Sequence, residues 1–306
     1  GRRERGHTRR MDGPWSIRRL APAVLAAVLL AGVGTAAPGA TVPARAADPA
    51  ASASAVVPGV VDRTSLAVEA RYDVRVRLRL ATGAMSVAEQ IAITNRSGGP
   101  IDRLELNTVL ARIGALRITS ASVDGVPVRP TVSDQTIRFP LGGVLADGAS
   151  ANLELAFTAR VGNRLDASRW LFSRVDGSWA AYRWLPWVSA ARRFARSNHG
   201  DPFVTASSPS VRMTVTTDRR TRIATSGRRV AFDGLTQVFA AANVRDLTFV
   251  ADASFRTTTA LVGDTRVIVY ARTPARRGAL LREASRALAR LETLLGPYPW
   301  PTLTVA

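Results

Sequence analysis

Residues 68–80 are VEARYDVRVRLRL, a strict alternation of apolar and charged side chains. Every even-numbered position of this stretch is apolar, and every odd-numbered position is charged. Because successive side chains of a β-strand point to opposite faces of a sheet, the pattern predicts a long strand with one buried and one solvated face. The solvated face would carry Arg71, Arg75, Arg77 and Arg79.

Short runs with the same two-residue period follow along most of the chain. The next one would bury Val87, Ile91 and Ile93, and Asp-Gly pairs suited to tight turns occur at 124–125, 147–148 and 233–234. We predict a mainly β fold, an antiparallel sandwich or saddle of roughly a dozen strands with no helix before residue 273. The remaining predicted strands are Leu104–Leu106, Leu116–Val123, Val126–Val128, Ile137–Leu141, Leu153–Phe157, Val211–Val215, Ile223–Thr225, Val230–Phe232, Leu247–Val250 and Val267–Tyr270.

The period changes after residue 272, where TPARRGALLREASRALARLETLLGPYPW (273–300) predicts one amphipathic helix. Thr273 is a suitable N-cap with Pro274 at the first helical position, and Gly296 with Pro297 ends the helix. A short strand then begins at Thr302. The helix could pack on the sandwich or on a domain absent from this chain, and the change from strands to a helix favours the second. We expect the strand to join a sheet beyond residue 306. The apolar stripe consists of Leu280, Ala284, Leu288, Leu291 and Leu295.

The first 46 residues have the order of an export signal. Met11 is the expected start; Arg18 and Arg19 precede an apolar run over 20–33, and ARA at 44–46 predicts cleavage after Ala46. An uncleaved anchor helix is the alternative, although the run is short for a bilayer span. The protein would then be extracellular or in the cell envelope, with membrane contact only through the signal. Residues 47–61, rich in Ala, Ser and Pro, predict a linker.

The chain has a net charge of +19, and all 42 basic residues are arginine. A strongly basic chain favours nucleic acid or an acidic surface as partner. Here the arginines are spread along the chain and alternate with apolar residues, so we predict no nucleic-acid binding. The chain contains no cysteine, which excludes a disulfide framework, a thiolate metal site and a lipid anchor on cysteine.

The sequence contains only two histidines, His7 and His199. A zinc hydrolase needs three protein ligands, and His199 has only Asp201 nearby in the sequence. No Gly-x-Ser-x-Gly elbow, phosphate loop or dinucleotide fingerprint is present. We therefore predict no catalytic residue and no metal ligand in this chain, and the sequence leaves substrate-binding residues unknown.

Four of the six tryptophans lie close together in sequence, and Tyr182 lies among them. One interpretation is a platform for a carbohydrate or a peptide. The interpretation that we favour is a core edge between two sheets, because aromatic side chains bury large areas. The four are Trp170, Trp179, Trp184 and Trp187.

The order of these features resembles the N-terminal part of the aminopeptidase N family of zinc metallopeptidases, gluzincins that include leukotriene-hydrolase-like enzymes. The resemblance covers about residues 68–306. It is carried by YDVRVRLRLATGAMSVAEQIAITNRSGGPIDRLELN (72–107), RWLPWV (183–188), GDPFVTASSPSVRMTVTTDRRTRIATSG (200–227), VRDLTFVADASF (244–255) and ALARLETLLGPYPWPTLTV (287–305).

The resemblance implies that the chain is a fragment of a zinc-dependent aminopeptidase. The family's His-Glu-x-x-His helix, third ligand Glu, Gly-x-Met-Glu-Asn segment and assisting Tyr have no counterpart here and would lie beyond residue 306. Residues 62–270 would form the β-sandwich domain, and residues 271–306 would begin a truncated α/β catalytic domain. Zinc and a peptide substrate are expected for the full-length parent, not for this chain.

Two functions therefore stay open. The first is a non-catalytic β domain of an exported metallopeptidase, whose main partner is the missing catalytic domain. The alternative is a complete secreted β-sandwich that binds a protein, a peptide or a cell-wall glycan through the tryptophan cluster.

Overall fold

The structure, a computed structural model, describes residues 54–64, 67–163, 165, 167–189 and 205–306. The predicted signal, His7, His199 and Asp201 lie outside these residues, so their roles stay predictions. Among the described residues, no helix has the length and apolar character needed to cross a membrane.

Strands make up most of the described chain, as predicted. Two α-helices, α1 (Val109–Arg112) and α2 (Pro274–Leu295), and one 3-10 helix, Ala167–Leu171, accompany them. The strands are β1 (Val56–Val57), β2 (Val68–Arg79), β3 (Ala84–Asn95), β4 (Ile101–Asn107), β5 (Leu116–Val123), β6 (Val126–Pro127), β7 (Thr131–Ser133), β8 (Thr136–Leu145), β9 (Ser150–Arg160), β10 (Phe172–Val175), β11 (Ser178–Ala181), β12 (Trp187–Val188), β13 (Val211–Thr217), β14 (Arg222–Thr225), β15 (Arg228–Asp233), β16 (Thr236–Ala241), β17 (Phe249–Asp252), β18 (Arg256–Val262), β19 (Thr265–Ala271) and β20 (Thr302–Val305).

The largest sheet has eight strands in the order β15-β16-β13-β2-β3-β9-β5-β6. Strand β2 lies near its centre, antiparallel to β3 and parallel to β13. The even-numbered side chains of β2 are buried and its four odd-numbered arginines are exposed, which confirms the prediction from the alternating pattern. One face of this sheet therefore meets solvent.

Two further sheets cover the buried face and share its core. One contains β1-β8-β4-β12 with β7 beside β8, and the other contains β10-β11-β17-β14. Apolar side chains from all three sheets form one continuous hydrophobic cluster. The mainly β sandwich is thereby confirmed. Strand β1 lies within the predicted linker and pairs with β8.

Several elements differ from the sequence prediction. The strands that the sequence does not predict are β1, β7, β10, β11, β12, β16 and β18. The strand predicted over Leu247–Val250 lies at Phe249–Asp252. The prediction of no helix before residue 273 is wrong, because α1 and the 3-10 helix occur there. Helix α1 is too short to show a helical period; the Thr108 hydroxyl caps it by accepting a hydrogen bond from the Leu110 amide at 3.2 Å.

Helix α2 has the predicted ends. The Thr273 hydroxyl accepts a hydrogen bond from the Arg276 amide at 3.3 Å, and Gly296 ends the helix with a φ of 92°. The expectation that α2 packs on an absent domain is wrong for the helix up to Leu288, which packs on a three-stranded sheet, β18-β19-β20, that is part of this chain. Strand β20 pairs in parallel with β19 and does not need a sheet beyond residue 306. A second hydrophobic cluster forms around Val267, Val269 and Leu288.

A buried carboxylate links this second cluster to the sandwich. Asp252, at the end of β17, accepts hydrogen bonds from Arg272 Nε at 2.9 Å, Arg272 Nη2 at 2.7 Å, Ser178 Oγ at 2.5 Å and the Ser254 amide at 2.6 Å. Burial acts to raise the pKa of Asp252, but the hydrogen bonds and the Arg272 charge outweigh it and lower the pKa. Asp252 therefore stabilises the fold above its usual pKa and loses this effect as the pH falls.

Candidate functional site

A groove of about 960 Å³ lies where β14 contacts β20. One part of its lining comes from the sandwich and the other from the segment between α2 and the end of β20. Apolar and polar groups share the lining, as is typical of ligand sites. The apolar side chains include Ala241, Val250, Tyr298, Trp300 and Leu303, and the polar ones include Thr225, Ser226, Arg228, Asn243, Asp246 and Thr248.

Asp246 fixes the loop that forms the sandwich side of the groove. Its carboxylate accepts hydrogen bonds from the Leu247 amide at 2.7 Å, the Thr248 hydroxyl at 2.5 Å and the Arg183 amide at 3.2 Å. Burial raises the pKa of Asp246, although these donors and the Arg183 charge oppose the rise. The Arg183 guanidinium also donates to the Thr205 hydroxyl at 3.1 Å. The cluster joins three separate segments of the chain and shapes the groove.

The opposite side of the groove is formed by the PYPW segment that follows α2. The rings of Tyr298 and Trp300 lie 5.2 Å apart between centroids, and 42% of Trp300 is exposed. The Tyr298 amide donates to the Glu292 carboxylate at 3.2 Å, and the Arg266 amide donates to the Pro301 carbonyl at 3.0 Å. From its sequence, this segment is predicted only as the end of a helix. The aromatic pair between prolines is a local signal for an exposed aromatic surface, but it does not show that this surface faces β14.

The tryptophan cluster is core, as the favoured interpretation predicted. Trp179, Trp184 and Trp187 are at most 2% exposed. The indole N–H of Trp184 donates to the Leu247 carbonyl at 3.0 Å, and that of Trp187 donates to the Ala206 carbonyl at 2.7 Å. Trp170 is 58% exposed and contributes a single ring at the surface. Three of the four rings are therefore closed to a ligand.

No metal site is visible in the part of the chain that the structure describes. There, no three side chains of His, Cys, Asp or Glu lie close enough together to hold a metal ion. The described residues also contain no histidine. These residues do not fit a catalytic zinc ion, and no catalytic step is derived from them.

Comparisons with known proteins identify the fold. No protein-family model and no curated protein matches the chain. Among solved structures, the M1 zinc metallopeptidase from Deinococcus radiodurans matches with a TM-score of 0.55 at 18% identity, over 83% of this chain and 58% of that chain. The chain has the fold of the matched part of M1 zinc metallopeptidases and spans less than two thirds of their length.

Two related structures carry ligands. A mutant of the M1 zinc metallopeptidase from Deinococcus radiodurans bound to a Tyr-Ser-Ala substrate matches with a TM-score of 0.53, and a two-domain M1 mutant bound to L-arginine matches with 0.55. Both are 18% identical over 83% of this chain, and the chain covers 59% of their length. The resemblance seen in the sequence is therefore supported at the level of the M1 fold.

Proposed function

We propose that this chain is the non-catalytic β domain of an exported zinc-dependent, aminopeptidase-like metallopeptidase, together with the first elements of its catalytic domain. The observation that carries the proposal is the likeness to the M1 fold over 83% of this chain and 58% of the matched chain. In the complete protein, zinc would supply an activated water for peptide hydrolysis. The role of this chain would be to support the catalytic domain and to shape its substrate cleft.

Exposed apolar side chains support a missing domain as partner. Leu291 is 50% exposed, Leu294 61% and Leu295 82%, and all three lie on the last turns of α2 beyond the buried Leu288. The apolar stripe of α2 thus continues past Leu288, the residue of the helix that is buried against the sheet. Adjacent exposed apolar residues of this kind mark interaction surfaces. The nearby groove with Trp300 would be covered by the same domain.

The exposed leucines give a test of this partner. Replacing Leu291 and Leu295 by glutamine is expected to reduce self-association of this chain, because exposed apolar side chains promote association in water. The measurement is sedimentation velocity over a range of concentrations. The matched control replaces Arg282 and Arg290, both exposed on α2, by glutamine and should leave self-association unchanged. A wild-type chain that stays monomeric at high concentration would count against an uncovered interface.

The alternative, a complete secreted binding module, loses its predicted site because three of the four tryptophans are buried. The groove of about 960 Å³ is the feature that still favours it, since its aromatic and polar lining suits an extended peptide. The two proposals differ in the coding sequence beyond residue 306. A continuation with His-Glu-x-x-His supports the metallopeptidase, and a stop codon directly after Ala306 supports the binding module.

Export belongs to the proposal as well, and its basis is the signal pattern of residues 1–46. Mass spectrometry of the protein from its native host should find a mature N-terminus at Ala47. An N-terminus that retains Met11 in a cytosolic fraction would contradict export.

A further inference from the structure

The solvent face of the eight-stranded sheet has a groove of about 660 Å³ at one end. Four arginines line it, and so do the hydroxyl-bearing side chains of Ser86 and Thr158. All six side chains are exposed. The arginines are Arg77 and Arg79 on β2, Arg117 on β5 and Arg160 on β9.

The strand register sets the spacing of these side chains. Arg77 pairs with Ser86, Ser86 with Thr158, and Thr158 with Arg117, so the four residues form one row across four strands. At a strand spacing of about 4.8 Å, the two arginines of this row lie roughly 14 Å apart at their Cα atoms, with both hydroxyls between them. The row therefore has an arginine at each end and two hydroxyl-bearing residues between them.

A second row lies next to the first along the strands. Arg79 pairs with Ala84, and Ala84 with Arg160, which places the two arginines roughly 10 Å apart. The small side chain of Ala84 leaves open space between them. The four arginines thus line a groove with Ala84, Ser86 and Thr158 between them, and Arg160 Nη1 also donates to the Thr82 carbonyl at 3.4 Å.

Charge is separated along this face of the sheet. No carboxylate lines the arginine groove, and in the described part of the chain none of its four arginines has an ion pair with a carboxylate. The other end of the same face has a groove lined by Arg71 and Arg212 together with Asp73, Asp124 and Glu154. A high arginine content of the whole chain would place arginines in both grooves. It does not explain why acidic residues line one groove and not the other.

We propose that the arginine groove, meaning the site formed by Arg77, Arg79, Arg117 and Arg160, binds a ligand that carries at least two linked phosphate groups. A guanidinium group can donate two parallel hydrogen bonds to the oxygens of one phosphate group, and nearby hydroxyl groups can donate further hydrogen bonds to the same ligand. A terminal phosphate group carries about −1.5 to −2 charges at neutral pH, so a ligand with two or more linked phosphate groups offsets most of the charge of the four arginines. This site goes beyond the proposed peptidase function and does not depend on it.

The probe is inorganic tripolyphosphate, titrated calorimetrically into the wild-type chain at low ionic strength. We expect one molecule to bind per chain, with an affinity that falls as salt is added. Replacing Arg77 and Arg117 by glutamine should weaken binding about tenfold or more, because charge-assisted hydrogen bonds are lost. Orthophosphate should bind at least about tenfold more weakly than tripolyphosphate, because one phosphate cannot engage both rows.

The matched control replaces Arg71 and Arg212 by glutamine. This removes the same charge from the other end of the solvent face of the eight-stranded sheet. This variant should bind tripolyphosphate with wild-type affinity. The melting temperatures of both variants should confirm that they are folded. An equal loss of affinity in the two variants, or no binding of tripolyphosphate to the wild-type chain, would overturn the proposal. So would binding of an oligonucleotide or of anionic phosphatidylglycerol vesicles that tripolyphosphate does not compete away.

Discussion

Replacing Trp184 by alanine is expected to lower the free energy of unfolding by about 3–5 kcal/mol. Its ring is fully buried and lies edge-on to Phe249 at 5.5 Å between centroids. The substitution leaves a large cavity and removes the donor that satisfies the Leu247 carbonyl. Chemical denaturation, followed by circular dichroism, measures the loss of unfolding free energy. A variant that does not fold at all would also agree with this prediction.

Trp170 provides the control, because it belongs to the same sequence cluster but is 58% exposed. Replacing it by alanine should change the free energy of unfolding by no more than about 0.5 kcal/mol. If both substitutions leave the stability unchanged, Trp184 is not a core residue and the binding-platform interpretation regains support.

Replacing Glu89 by leucine is expected to raise the free energy of unfolding at pH 7 by about 3 kcal/mol. Glu89 lies on the buried face of β3, 1% exposed, and neither carboxylate oxygen has a hydrogen-bond partner. Its paired neighbours are Val74 on β2 and Leu155 on β9. Leucine removes the unsatisfied carboxyl group and places an apolar side chain of similar size in the core.

The pH dependence of stability gives a second readout for Glu89. Burial raises the pKa of this carboxyl group well above its usual range, so the folded chain holds a proton that the unfolded chain releases. The contribution of Glu89 to stability is therefore highest below the unfolded pKa and falls as the pH rises towards the folded pKa, by about 1.4 kcal/mol per pH unit. Tyr72 is the titratable group that interacts with Glu89, and burial, with a smaller effect of Glu89, raises its pKa too.

The leucine variant should lose the share of this slope that Glu89 contributes and keep the share of Asp246, whose pKa burial also raises. Denaturation at several pH values measures the difference. Gln90 is the matched control, because it neighbours Glu89 on the exposed face of β3. Gln90→Leu should leave both the slope and the stability at pH 7 close to wild type. A wild-type chain whose stability does not fall between pH 5 and 8 would show that Glu89 is solvated or paired.

Regular periodicity explains which parts of the fold the sequence predicts well. Strand β2 alternates without exception, and α2 has a capping Thr273 and a terminating Gly296. Strand β18 was missed because its residues RTTTALV are mostly polar and exposed at the edge of a three-stranded sheet. Strand β16 was missed because Gln237 occupies a buried position, where it donates to the Thr221 carbonyl at 2.9 Å.

The surface sites could not be predicted from local patterns. The groove near Asp246 joins β14 to the segment after α2, and these are far apart in sequence. The arginine groove depends on the register of strand pairing. Arg77 and Arg117 share a row only because β2, β3, β9 and β5 pair in the observed register. The alternation of β2 predicted solvated arginines, but it gave no reason to separate Arg77 and Arg79 from Arg71.

The zinc content of the protein translated from its complete reading frame tests the central claim most directly. Elemental analysis after gel filtration should find about one zinc ion per complete chain, as catalytic sites of this kind require, and none bound by residues 47–306 produced alone. A complete protein without zinc, or stoichiometric zinc on residues 47–306, would contradict the account of this chain as the non-catalytic part of a metallopeptidase.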